Sequence, residues 1–69
     1  MASAERTVAA RSKDGVNAHD MPGGWRVVVA RLGERYQAWY HHTNDDPRII
    51  ASVMNAAERW LERETANIS

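Results

Sequence analysis

The stretch GWRVVVARLGERYQAWYHH, residues 24–42, decides how this chain folds. Trp25 to Leu32 is rich in β-branched and aromatic residues, Gly33-Glu34 is a glycine-first two-residue turn, and Arg35 to His42 returns as a second strand. Gly33 supplies the positive φ that such a turn requires. A two-residue loop also fixes the register, pairing Leu32 with Arg35, Arg31 with Tyr36, Val29 with Ala38, Val27 with Tyr40 and Trp25 with His42.

Side chains alternate across a sheet, so the hairpin has two distinct faces. Trp25, Val27, Val29, Tyr36, Ala38 and Tyr40 form one. Arg26, Val28, Ala30, Leu32, Arg35, Gln37, Trp39 and His41 form the other.

Downstream, Ile49, Ile50, Val53, Met54, Ala57, Trp60 and Leu61 recur at the spacing of one helical face. The helix is expected from about Pro47 to Glu64, within 46–65 once its caps are counted. Asp46 is placed to cap the free amides, and Pro47 at the first helical position loses no hydrogen bond. The first sheet face is the more apolar, so it is expected to pack on this stripe.

Upstream, Ala4 to Arg11 reads as a short helix, from its alanines and a Ser3 cap, or as a strand, from Thr7-Val8 and the Asp14-Gly15 turn signal. The strand is preferred, because a third strand would complete a sheet that a lone hairpin cannot sustain. Val16 to Gly24, with Asn17, Asp20, Pro22, Gly23 and Gly24, reads as loop. The expected architecture is a single small α+β domain over 1–69: an antiparallel sheet of two or three strands packed on one long C-terminal amphipathic helix.

Sixty-nine residues leave room for one small core. Of the 30 hydrophobic residues 11 are alanine, so only 19 larger apolar side chains are available to build it. The absence of cysteine removes disulfides and thiolate metal sites and suits a reducing, cytoplasmic setting. The longest uninterrupted apolar run, Val27 to Ala30, is far short of a membrane span, so no membrane partner is expected. Nine basic and nine acidic residues cancel, giving no global field toward nucleic acid or anionic lipid.

His41-His42 with Asp45 and Asp46 concentrates metal-ligating side chains, but adjacent strand histidines point to opposite faces and Asp46 is needed as a cap. No metal or other cofactor is expected. Neither a nucleophile elbow, a phosphate loop nor a metalloprotease helix is present, so no enzymatic activity is expected. If one helix covers one face, the other is left for a partner. Trp39, flanked by Arg26, Arg35, Gln37, His41 and Val28, has the composition of an interface hot spot, and these six are the expected binding residues.

The hairpin opening GGWRVVV (23–29), turning at LGERY (32–36) and followed by a helix carrying AERW (57–60), resembles the arm-site-binding domain of phage tyrosine recombinases. The resemblance covers about residues 23–64. It implies a three-stranded sheet backed by one helix, with the sheet entering the DNA major groove. The PGGWRVV segment (22–28) is similar to the P-x-G-W stretch of MbtH-like proteins, whose upstream Ser-Leu-Trp-Pro is missing here. The balanced charge favours a protein partner for a small non-enzymatic inhibitor or adaptor. In size and style it is similar to those of phages and mobile elements, anti-CRISPR proteins among them. DNA binding through the sheet is the alternative, and a homodimer would be a further way to hide apolar surface.

Overall fold

The computed structural model describes residues 4–68, so Ser3, expected as a cap, lies outside the described residues. Helix α1 (Ala4–Arg11) is followed by strands β1 (Gly15–Met21), β2 (Trp25–Leu32) and β3 (Arg35–His42), and then by helix α2 (Pro47–Ile68). The sheet is an antiparallel meander in the order β1-β2-β3. The β2–β3 register is the one a two-residue turn dictates, from Leu32 opposite Arg35 to Trp25 opposite His42. Gly33 takes the required left-handed φ of 63°.

The N-terminal third corrects the sequence reading twice. Ala4–Arg11 is a helix, and the third strand is Gly15–Met21, the segment expected to be loop. Asn17, Ala18, His19 and Asp20 are poor strand formers, but they pair with Val29, Val28, Val27 and Arg26. A preformed hairpin edge therefore outweighs their intrinsic preference. Pro22 ends the strand, and Gly23 and Gly24, at φ of 83° and 79°, turn the chain into β2.

With β1 in place, β2 is the central strand and is enclosed from both sides. Val27, Val28, Val29 and Ala30 are all buried. Val28 and Ala30 pack with Ala57 of α2, joined by Val16, Trp39, Val53, Met54 and Trp60. Val27 and Val29 pack with Val8 of α1, joined by Met21, Tyr36 and Ala38. The long helix thus covers the face expected to be free, and the short helix takes the face expected to receive the long one.

Helix α2 begins as its sequence specifies. The Asp46 carboxylate accepts the Arg48 N–H at 2.8 Å and is also gripped by the Arg48 guanidinium, at 3.2 and 2.9 Å. These bonds from Arg48 hold the Asp46 carboxyl below its ordinary range. The helix runs past the expected Glu64 to Ile68.

Helix α1 is fastened at its C-terminal end. The Ser12 hydroxyl donates to the Val8 carbonyl at 2.9 Å, and the same oxygen lies 2.8 Å from His19 Nε2 on β1. Arg31 reaches across from β2, donating from Nη1 to the carbonyls of Ala9 and Ser12 at 2.6 and 2.7 Å and from Nε to that of Gly33 at 2.7 Å. A guanidinium bound to the last carbonyls of a helix both satisfies unpaired acceptors and complements the negative helix end.

Candidate docking surface

The six residues expected to form a binding surface do share one face of the sheet, but it is the face that α2 covers. Val28 and His41 are buried, at 1% and 3% exposure, and Trp39 joins the cluster beneath α2. Arg26 is paired with Asp20 at 2.7 Å, and Arg35 with Glu64 of α2 at 2.9 Å. Gln37 alone among them is exposed without an ion pair, at the outer strand. The physical reason is the central position of β2. A run of four buried residues carries no alternation, so apolarity by itself cannot say which face meets which helix.

His41 is buried with both ring nitrogens lacking a hydrogen-bond partner. An unpaired buried polar group costs about 1–3 kcal/mol, whereas an apolar group of similar size does not. His41→Leu is therefore expected to stabilise the protein by about 1 kcal/mol. A rise in the urea midpoint with unchanged slope would show it, and a fall would mean that the imidazole has a partner in solution.

The α1 side of the sheet leaves aromatic surface uncovered. Eight residues of helix span about 12 Å, while eight residues of strand span about 26 Å, so α1 cannot cover the strands from end to end. Trp25 and Tyr40, expected as core, are 46% and 44% exposed. Partial burial, with the Glu5 carboxylate and Tyr36 nearby, raises the Tyr40 phenol above its ordinary range. Trp25 faces His42 across the strands and Tyr40 lies two residues before it, so the three rings occupy one patch. Met21 is the partner of Trp25 on β1.

This patch is preset. The Trp25 and His42 rings meet edge to face, with centroids 5.3 Å apart and planes at 87°. His42 Nδ1 accepts the Asn44 N–H at 3.2 Å, which leaves its Nε2 to carry the proton and donate to the Gly23 carbonyl at 3.2 Å. A Cβ on Gly24 would lie 3.0 Å from that Nε2, so only glycine lets the loop close on the ring. The sequence signal for this site is Trp25 at the very start of its strand, directly after two glycines, where neither helix reaches.

The Ser12–His19 pair has the composition of a nucleophile and base, but its hydroxyl proton is already donated to Val8 and Ser12 is buried, so it acts as a clasp. Among the described residues no three His, Asp or Glu side chains gather around a common point that could hold a metal. No described helix is long and apolar enough to cross a membrane. No protein-family model matches the chain, and no curated protein or solved structure does.

Proposed function

We propose that the chain is a non-enzymatic docking module that binds a protein partner through Trp25, Tyr40, His42 and Met21, in the manner of a small inhibitor or adaptor. One observation carries this reading: two large aromatic side chains on one face of the sheet, Trp25 and Tyr40, stand about half exposed, and Trp25 is held against the His42 ring before any partner arrives. A rigid aromatic anchor loses little freedom on binding, so most of the apolar area it buries contributes to affinity. A cytoplasmic setting suits a chain that draws on no disulfide for its stability.

The arginine geometry favours protein over DNA. Arg26 and Arg35 are engaged by Asp20 and Glu64 on the α2 side, while Arg31 points the other way and is held by α1. Phosphate contact from the sheet would compete with these bonds, and the three cations do not converge on one surface.

The test compares tagged wild type with Trp25→Ala in a nuclease-treated lysate. Trp25→Ala should keep the wild-type circular dichroism spectrum and weaken binding to a captured protein about tenfold or more. Capture that disappears on nuclease treatment would instead support the DNA reading. Equal capture by both proteins would remove the aromatic patch from consideration.

A further inference from the structure

The outer strand β3 carries a pattern that reads the same in both directions. In a hairpin closed by a two-residue loop, the residues beside the loop exchange backbone hydrogen bonds and the next pair does not. Arg35, Gln37, Trp39 and His41 therefore bond to β2, while Tyr36, Ala38, Tyr40 and His42 turn their N–H and C=O groups outward. Two bonds agree with this phase. The Thr43 N–H donates to the Gly24 carbonyl at 2.8 Å, extending the alternation, and the outward His42 N–H is taken by the Asp45 carboxylate at 2.8 Å. Among the described residues, the outward N–H groups of Tyr36, Ala38 and Tyr40 have no side-chain acceptor, unlike that of His42.

We propose that a second copy of this chain adds to β3 in antiparallel register about a two-fold axis at Ala38, making a continuous six-stranded sheet. Going beyond the proposed docking function, this inference rests on the edge itself. A two-fold interface must be complementary to its own copy. Around Ala38 the outward residues run Tyr36-Ala38-Tyr40, so each Tyr36 lies opposite the other copy's Tyr40 and the smallest side chain sits on the axis. Aromatic cross-strand pairs are among the favourable ones. The ladder ends one step further out, where the outward His42 N–H is already taken by Asp45 and Glu34 lies in the turn.

The edge is also unguarded. Natural sheets protect an outer strand with charged side chains, proline or a bulge; β3 has no lysine, proline or bulge, its one charged side chain, Arg35, is turned to Glu64 of α2, and it pairs with β2 through all eight residues. The opposite edge is better defended. Asn17 of β1 turns its side chain back to the carbonyls of Lys13 and Gly15, Asp20 places a charge there, and Pro22 follows.

The absence of cysteine makes single labels clean. Sedimentation equilibrium of the full chain should show a reversible monomer–dimer exchange. Nitroxides on Gln37→Cys, an exposed β3 position, should then lie within about 20 Å of each other in the dimer, whereas labels on Ala18→Cys of β1 are separated by five strand spacings, about 24 Å, before their linkers are counted. Ala38→Pro removes only an outward N–H, which an edge strand tolerates, and should weaken the dimer tenfold or more. A chain that stays monomeric at every attainable concentration would overturn the proposal. So would a dimer in which the Ala18→Cys labels are the closer pair. Should Ala38→Pro fail to fold, the two label distances decide the matter.

Discussion

Trp39→Ala and Trp60→Ala should each destabilise the protein by about 3–5 kcal/mol, the usual consequence of deleting a large aromatic from a packed core. Both indoles join the cluster of Val28, Ala30 and Ala57 between the sheet and α2. Ala30 and Ala57 are fully buried and too small to fill the layer, so the partly buried Trp39 and Trp60, with Val16, Val53 and Met54, complete it. A single core in a domain of this size rarely supplies more than about 3–5 kcal/mol in total, so either variant should be largely unfolded in the absence of stabilising additives. Far-UV circular dichroism with urea titration would measure this directly. Trp25→Ala, which removes a half-exposed ring, serves as the folded comparison. If Trp39→Ala melted like the wild type, the face under α2 would have to be reassigned.

Arg31→Ala should cost about 2–4 kcal/mol, because it removes two charge-assisted hydrogen bonds to the end of α1 and one to Gly33. Helix α1 has eight residues, too few to persist unless packed. It is held by Val8 and Ala9 against the sheet, by the Ser12 clasp and by Arg31. Loss of the guanidinium should show first as faster amide exchange in α1, ahead of the central strand. Arg31→Lys should rescue little, since an ammonium lacks the fork that reaches the carbonyls of Ala9, Ser12 and Gly33 together. Full protection of α1 in Arg31→Lys would show that charge alone holds the helix.

The parts of this fold that a sequence reading reaches are those fixed by neighbouring residues. Gly33-Glu34 sets the hairpin register, and Asp46-Pro47 sets the start of α2, because each acts through backbone geometry within a few residues. The parts it misses depend on distant surfaces. Val27 to Ala30 shows only that β2 is buried, and deciding between faces requires knowing that Val8 arrives on one and Ala57 on the other. Asn17 to Asp20 became a strand because an exposed hairpin edge lay beside them, a property of residues 25–32 and not of their own composition. The binding-surface reading rested on the same choice of faces: with the faces exchanged, His41 is buried and Trp39 partly buried beneath α2, while Trp25 and Tyr40 stand exposed on the other side.

The meander order of the sheet bears on how quickly the molecule assembles. Each strand pairs with the one next to it in the chain, across turns of three and two residues, so the sheet requires no long loop to close before its first contacts form. Helix α2 can then wrap back over strands already in register. Folding limited by such local steps belongs nearer to the millisecond range of mixed α/β domains than to the seconds of sandwiches built from distant pairings.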